Sequence, residues 1–420
     1  MISAISLKLA VEHWFLIIKS KPAEFWARCL VIGIVVTMTR AFALTNLFEF
    51  FLLLLFTMSP ALRGRFRHVI SDPRVFLVLI FWAWIAVATL WGQAPIEERF
   101  DEWWSWRKLL LVPFCFALFS ADAHKVFLAR SLILTCFVYM VFSWAGHLNL
   151  VELDRSPANL LENHATQGIL FSVAAFFCYL EFVAIKDVRY RFLLVVLIVG
   201  FVSNILLVLT GRSGYVFLLI LVAYSGFISS KSNRVLISAC LGGLVLASLL
   251  ISNTTGERIS QAFSEAKAAY TSAEYTSLGV RIVMWDNALT MIEAKPLFGS
   301  GSGSFRFDYS DIAKHGVGWR SIATDDPHQQ YLHIAAEQGL LGLLLFIFAI
   351  SSWLFSTVDK GQRYAIAAFG ILLGTVANGF ANGHFSSFVE GRLVWIFVAA
   401  FLAGSSFDLP FRVASVKKNT

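Results

Sequence analysis

Charged residues are scarce in this sequence, and their scarcity excludes a soluble globular protein. Asp, Glu, Lys and Arg make up 15% of the 420 residues, whereas a soluble domain carries about 25%. Hydrophobic residues reach 58%, and they gather in apolar runs long enough to cross a hydrocarbon core of roughly 30 Å. Because lipid offers no hydrogen-bond partners, such runs form helices or a closed barrel, and the alternating pattern of a barrel is missing. The predicted fold class is all-α, a polytopic helical membrane protein.

The sequence has few cysteines and no nucleotide-binding motif. The five cysteines all fall within apolar runs, and none has the spacing of a metal site, so we predict neither a disulfide nor a bound metal. No Walker pattern is present, and no cofactor is expected. The net charge of +7 is spread over many short loops, which favours membrane lipids as partners and argues against nucleic acid.

Twelve transmembrane spans are predicted, and they divide the chain into three parts. The first part, 1–252, begins with an amphipathic surface helix over residues 1–24, not a cleavable leader, and continues through spans one to nine. Residues 253–327 form a long loop, and residues 328–420 hold spans ten to twelve and a tail. The spans are predicted near residues 27–43, 44–59, 75–91, 108–119, 126–146, 165–185, 192–209, 214–230, 234–252, 328–355, 364–380 and 385–403.

Basic residues set the orientation of these spans. They gather in the loops after even-numbered spans and in both tails, whereas the opposite short loops carry mostly acids. Loops rich in Lys and Arg stay in the cytoplasm, so both termini are predicted to be cytoplasmic and the long loop to face outward. The stretch FDEWWSWR at 100–107 then lies on the outer side, where Trp rings sit at headgroup depth. The basic loop residues of the cytoplasmic side are Arg63, Arg65, Arg67, Arg74, Lys125, Lys186, Arg189, Arg191, Lys231, Arg234, Lys360 and Arg363.

Two helices and a glycine-rich turn are predicted within the long outer loop. Residues 257–270 and 278–294 have the apolar spacing of helices that lie on a membrane surface, and Lys295 with Pro296 ends the second. The sequence GSGSGS follows at 299–304. Backbone amides of such a turn can cradle a phosphate, but a flexible hinge is the preferred interpretation.

The sequence DDPHQQ at residues 325–330 predicts the start of a helix at the outer membrane surface. Asp326 is a good N-cap and Pro327 suits the first helical position, so His328 falls in the first turn. The positive end of the helix dipole disfavours imidazolium there. We therefore expect a neutral ring that can accept a proton.

Two glycines and a second histidine follow on the same predicted helix. Gly339 is expected on nearly the face of His328, three turns deeper, and together with Gly342 it permits close approach of another helix. His333 is expected to point away from His328. The two histidines therefore lack the i, i+4 geometry of a metal pair.

Two arginines are predicted to share the outer face with His328. Arg212 lies in the short outward turn LTGRSGY at 209–215, where a cation is costly unless it has an anionic partner. Arg281 opens the second loop helix and is placed on the same side by topology. Arginines hold phosphate oxygens and offset the charge of a leaving group, and a neutral histidine takes a proton from an attacking hydroxyl. Two arginines and a neutral histidine are what transfer from a lipid-linked diphosphate would need.

Three motifs together resemble one enzyme superfamily. GRSGY at 211–215, PLFGSGSGSF at 296–305 and PHQQYLHIAAEQGLLG at 327–342 are similar to segments of the O-antigen ligase and polymerase superfamily, and the spacing from His328 to Gly339 resembles the ligase signature in particular. The resemblance implies a lipopolysaccharide core:O-antigen ligase in a bacterial inner membrane, with its site on the periplasmic face.

The resemblance also implies substrates and residue roles. Glycan would pass from undecaprenyl diphosphate to a sugar hydroxyl of lipid A–core, with inversion at the anomeric carbon and without a metal or nucleotide. His328 would be the base, and Arg212 and Arg281 the diphosphate ligands. Three further residues match no motif but are expected from the topology to face outward and to contribute to substrate binding: Arg40, His384 and Arg392.

Other functions stay open at this point. The O-antigen polymerase and the protein O-oligosaccharyltransferase belong to the same superfamily. A secondary transporter commonly has twelve spans, but it would show repeated halves and a site at the membrane midplane, and no repeat is visible. The acids that favour a transporter are Glu49, Glu181 and Glu390.

Overall fold

The computed structural model describes residues 22–151, 160–161, 163–209, 211–229, 243, 276–357 and 362–405, and over these ranges the chain is helical without any strand. For Arg212 and Ser277 the structure describes the backbone but not the side chain. The predicted all-α fold class is confirmed for the described part.

Fifteen α-helices have described bounds, and two short 3-10 turns accompany them. Those before the long loop are α1 Pro22–Thr37, α2 Phe42–Met58, α3 Pro60–Val69, α4 Pro73–Ala88, α5 Ile96–Ser105, α6 Leu111–Leu118, α7 Asp122–His147, α8 His164–Ala184, α9 Val188–Leu207 and α10 Arg212–Ile228. Those that follow are α11 Ser277–Ala294, α12 Phe305–Ala313, α13 Gln330–Thr357, α14 Arg363–Asn378 and α15 Phe388–Leu402. The 3-10 turns are Trp106–Leu110 and Gly318–Ser321.

The predicted spans can be compared with these helices. Each one overlaps a described helix except span nine, 234–252, of which only residue 243 is described. Residues 1–21 and the loop helix predicted at 257–270 lie outside the described residues. Four helices, α7, α8, α9 and α13, are long and apolar enough to cross a membrane alone, and α2 with α3 adds a fifth if that bent pair is one span. The full number of twelve spans stays a prediction.

Cap residues determine where two of the helices begin. Ser59 accepts a hydrogen bond within the first turn of α3 and Pro60 occupies its first position, where the missing N–H costs nothing. At the start of α4, Asp72 is the cap and Pro73 occupies the first helical position. The amide of Arg74 donates to Asp72 Oδ1 at 2.9 Å. As a result α3 turns away from α2 by 99° before α4 re-enters the bundle.

Helix α15 forms the centre of the bundle. Every residue from Val389 to Leu402 is buried, and the helix packs against α6, α8 and α14. Helix α13 lies alongside α4, where Gly342 faces the indole of Trp84 so closely that an added Cβ would lie 2.8 Å from Trp84 Nε1. The predicted close approach at Gly342 is therefore confirmed.

Helix α13 is kinked at Gly339, and the prediction that Gly339 continues the face of His328 is wrong. Gly339 has φ 70° and ψ 178°, outside the helical region. The backbone of the 299–304 turn packs into this break, since the amides of Ser300 and Gly301 donate at 2.8 Å to the carbonyls of Ala336 and Glu337. The backbone of the outer loop therefore occupies the kink. Glycine is required at residue 339 because a side chain there would overlap that loop.

The 299–304 turn itself is not a flexible hinge, and the preferred interpretation is corrected. In addition to the bonds of Ser300 and Gly301, the amide of Ser302 donates to the carbonyl of Ala88 at 3.1 Å, and Gln338 Nε2 donates to Ser302 Oγ at 3.0 Å. These amides are engaged with protein carbonyls, so they do not form a phosphate cradle. The turn fastens the outer loop to both α4 and α13.

Replacement of Gly339 by Ala is expected to destabilise the protein. The positive φ and the overlap with the carbonyl of Leu297 should together cost about 2 kcal/mol or more, seen as a melting temperature several degrees lower in detergent. Gly64→Ala is the matched control, because Gly64 lies within α3 with open space around it and alanine favours a helix by about 0.5–1 kcal/mol. Equal melting temperatures for the two variants would contradict this account of the kink.

Candidate active site

His328 lies in a strained turn just before α13, so the prediction that it belongs to the first helical turn is wrong. The helix begins at Gln330, and Gln329 caps it by accepting a hydrogen bond from the amide of Leu332 at 2.6 Å. His328 has φ 53°, and among the described residues only Asn149 shares a positive φ without being glycine. Such backbone strain is concentrated at functional sites.

The carboxylate of Asp326 holds this turn. Its Oδ1 accepts the backbone amide of His328 at 2.7 Å, and its Oδ2 lies 3.8 Å from His328 Nδ1. The imidazole of His328 is about half exposed, at 49%. Asp326 therefore acts as a cap for His328 instead of for the helix, and it supplies a negative charge beside one ring nitrogen while the ring remains accessible.

His333 does not point away from His328, as was expected, but approaches the same carboxylate. Its Nδ1 lies 4.0 Å from Asp326 Oδ1, and its Nε2 lies 3.8 Å from Glu337 Oε1. Because the true helix starts only at Gln330, His333 is in its first turn and faces back toward the loop. The two histidines thus flank one acid.

Helix α11, which bears Arg281, is attached to this turn through Trp285. Trp285 Nε1 donates to the carbonyl of Pro327 at 3.0 Å, which joins α11 to the residue immediately before His328. Arg281 lies four residues before Trp285 and so occupies the same face of α11, one turn away. It is half-buried. The helix predicted at 278–294 and its end at Lys295 are confirmed.

The start of α10, which bears Arg212, reaches the site through the loop at 379–387. Ser213 Oγ accepts a hydrogen bond from Asn382 Nδ2 at 2.8 Å. The same loop contacts the start of α13, where Gln330 Oε1 accepts a hydrogen bond from the amide of Phe385 at 2.9 Å. The backbone of Arg212 is therefore connected to the beginning of α13 by one loop. Its side chain is outside the described residues.

Arg40, His384 and Arg392 were the further residues expected to bind substrate, and they lie in different environments. His384 is buried in the 379–387 loop beside Glu390, and burial lowers the pKa of its imidazole. Arg392 is fully buried and its Nε donates to Glu49 at 2.6 Å. Arg40 is exposed and donates to the carbonyl of Leu160 at 2.7 Å. The loop that bears His384 reaches the Asp326 turn, since a Cβ added to Gly383 would lie 3.6 Å from Asp326 Oδ2, whereas Arg392 forms an ion pair with Glu49 inside the bundle.

An acidic pair below the turn was not found from the sequence. Glu102 of α5 lies near Glu337 and accepts a hydrogen bond from Trp106 Nε1 at 2.9 Å. Burial, together with the negative charge of Glu337, raises the pKa of Glu102. Glu337 also accepts the amide of Phe305 at 3.0 Å. The residues come from three separate segments, so no local spacing could have revealed them.

The acids that favoured a transporter all have partners. Glu49 pairs with Arg392 at 2.6 Å, and Glu181 pairs with Arg130 at 3.0 Å and with Arg363 at 3.4 Å. Glu390 is a further buried acid, and the hydroxyls of Thr166 and Ser387 donate to it at 2.6 and 2.7 Å. Charges inside a helical bundle are expected to have such partners.

Comparison with known proteins places this site within a recognised family segment. Residues 195–347 match the family described as O-antigen ligase, and the segment contains Arg212, Arg281 and His328. A protein of Haemophilus influenzae, named only as an uncharacterized protein, is 31% identical over 172 residues, which are 37% of this chain and 42% of that protein. The chain thus spans less than half the length of this relative. The predicted resemblance to the O-antigen ligase superfamily is confirmed.

Replacement of Asp326 by Ala should loosen the His328 turn. Loss of the cap to the strained amide is expected to lower the free energy of unfolding by about 1–2 kcal/mol, whereas Asp326→Asn keeps an acceptor oxygen and should lose less. Thermal melting in detergent measures both. Asp311→Ala is the control, because Asp311 pairs with Lys314 on an exposed surface, where such a pair contributes little. If Asp326→Ala melts at the temperature of Asp311→Ala, the carboxylate does not hold the turn.

Proposed function

Since residues 195–347 carry the O-antigen ligase match, we propose that this protein is a lipopolysaccharide core:O-antigen ligase. It would transfer O-antigen glycan from undecaprenyl diphosphate to a sugar hydroxyl of lipid A–core, on the periplasmic face of a bacterial inner membrane. The observation that carries the proposal is the strained, half-exposed His328 held by Asp326 at the meeting point of α11, the 379–387 loop and α13.

The proposed reaction needs a base beside two cations. The acceptor hydroxyl attacks the anomeric carbon, the bond between that carbon and the phosphate oxygen breaks, and undecaprenyl diphosphate leaves with the electron pair. His328 takes the proton of the hydroxyl. Arg212 and Arg281 bind the diphosphate oxygens and stabilise the charge that develops on the leaving group. Attack from the side opposite the leaving group inverts the anomeric centre.

Asp326 has a supporting role in this scheme. A carboxylate beside Nδ1 stabilises the imidazolium that forms when His328 accepts the proton, and it orients the ring. The distance of 3.8 Å between Asp326 Oδ2 and His328 Nδ1 is longer than a hydrogen bond, and such contacts tighten when a substrate is bound. The same carboxylate keeps the backbone of His328 in its unusual conformation.

The enzyme class is tested with purified full-length protein in detergent. Glycan should pass from a polyprenyl-diphosphate donor to lipid A–core with no ion gradient present. Gradient-dependent uptake into vesicles without glycan transfer would instead identify a transporter.

The subclass is tested in a deletion strain. Loss of the whole glycan ladder on lipid A–core, while polymerised lipid-linked glycan accumulates, identifies a ligase. Accumulation of single repeat units identifies a polymerase, and normal lipopolysaccharide with loss of protein-linked glycan identifies a protein O-oligosaccharyltransferase.

His328→Asn is expected to abolish transfer while the protein stays folded. Asparagine tolerates a positive φ, so the turn should persist without a base, and the rate should fall at least about 100-fold. The exposed His315 offers a matched control, since His315→Asn should keep full activity. Transfer at the wild-type rate by His328→Asn would remove this residue from the mechanism.

Arg212→Lys and Arg281→Lys are each expected to impair transfer. A lysine keeps the charge but cannot make the bidentate phosphate contacts of a guanidinium, so donor affinity and rate should both fall, by about tenfold or more for a lost charge-assisted hydrogen bond. Arg306→Lys, on the exposed side of α12, should be unaffected. If the Arg212 and Arg281 variants match Arg306→Lys in a donor titration, the proposed diphosphate ligands are misassigned.

A further inference from the structure

The end of the bundle opposite the candidate active site contains a second polar region. Helix α4 runs between the two ends, because Ala88 at one terminus binds the 299–304 turn while Arg74 at the other binds Ser405 beyond α15. Helix α15 spans the same distance, starting beside the 379–387 loop. The region around α3 and the start of α4 is therefore far from His328.

Helix α3 has the character of a helix that lies on a membrane surface. It follows α2 at an angle of 99°, and its ten residues include three arginines and a histidine but no acid. Its apolar side is anchored in the bundle, where Leu62 is fully buried and the ring of Phe66 lies 5.6 Å from that of Phe114. Arg63 and Arg67 are exposed. Basic residues opposite an apolar face are typical of interfacial helices.

A cavity of about 690 Å³ opens beside this helix. It lies between α3, the turn before α4, the end of α6 and the residues that follow α15. Its lining includes Gly64, Arg65, His68, Arg74, Phe116 and Ser120.

The charges around the cavity leave a positive excess. Arg74 is neutralised by Asp72 at 2.6 Å. Glu24, in contrast, is shared by two cations, with Arg65 at 3.1 Å and Arg28 at 3.7 Å. One carboxylate cannot neutralise two guanidinium groups, and the exposed Arg63 and Arg67 of α3 add to the excess. This excess of positive charge favours the binding of an anion in the region.

We propose that this cavity and α3 bind the headgroup of an anionic phospholipid. A lipid is favoured over a soluble anion because the site adjoins the apolar surface of α2, whose last residue, Met58, is 69% exposed and would contact acyl chains. The phosphate would lie near Arg65 and His68, while Arg63 and Arg67 draw the anionic headgroup to the surface. The site is independent of the proposed glycan transfer.

Native mass spectrometry of the full-length protein in a non-ionic detergent tests this proposal. Phosphatidylglycerol or phosphatidylcholine is added in increasing amounts and the bound fraction is measured. Phosphatidylglycerol should bind at least about tenfold more tightly, and 0.5 M salt should weaken it. In the double variant Arg63→Gln, Arg67→Gln, the affinity for phosphatidylglycerol should fall about 25-fold, since each basic residue near a membrane surface contributes about fivefold.

Arg189→Gln is the matched control, because Arg189 is exposed on the predicted cytoplasmic side but belongs to α9. It should bind phosphatidylglycerol like the wild type. Equal binding of the two lipids, or unchanged binding by the folded double variant, would overturn the proposal. Displacement of phosphatidylglycerol by millimolar inorganic phosphate would also overturn it, since the site would then bind free phosphate.

Discussion

The site depends on the backbone hydrogen bonds between the 299–304 turn and the kink of α13. The amides of Ser300 and Gly301 bind carbonyls that the break at Gly339 leaves free, and the amide of Leu340 in turn donates to Pro296 at 2.8 Å. These bonds join the outer loop to a membrane helix. Because α11 directly precedes the turn, they also determine where α11 lies, and with it Trp285 and Arg281.

The Asp326 turn depends on that placement. Trp285 binds the carbonyl of Pro327 from one side, and Gln330 is fixed by the amide of Phe385 from the other. Between these two attachments the chain has little freedom, and His328 keeps a positive φ that an isolated peptide would avoid. The conformation of the candidate base is thus set by elements far apart in the sequence, as expected where strain is stored at a functional site.

The two polar ends of the bundle use charge differently. At the candidate active site, the carboxylate of Asp326 lies near both His328 and His333, and Glu337 lies on the other side of His333. At the opposite end, arginines outnumber the acids they pair with. This asymmetry fits the two proposals, in which the basic end binds anionic lipid and the other end binds a diphosphate through Arg212 and Arg281.

Apolar runs and local motifs were enough to predict the all-α class, the helices that coincide with predicted spans and the outer-loop helix at 278–294, because such patterns are read over short distances. The sequence also nominated His328, Arg212 and Arg281, whose roles stay a proposal, but it did not predict α3, α5 or α12. It misplaced the start of α13, treated a packed turn as a hinge and missed the break at Gly339. Local cap signals fitted Asp326, but the folded chain shows that its carboxylate accepts the amide of His328 instead of capping the helix. The reason is that the contacts around this turn join distant segments and form only once those segments have packed. Trp285 binds the carbonyl of Pro327, the amide of Phe385 binds the side chain of Gln330, and the 299–304 turn binds the carbonyls of Ala336 and Glu337.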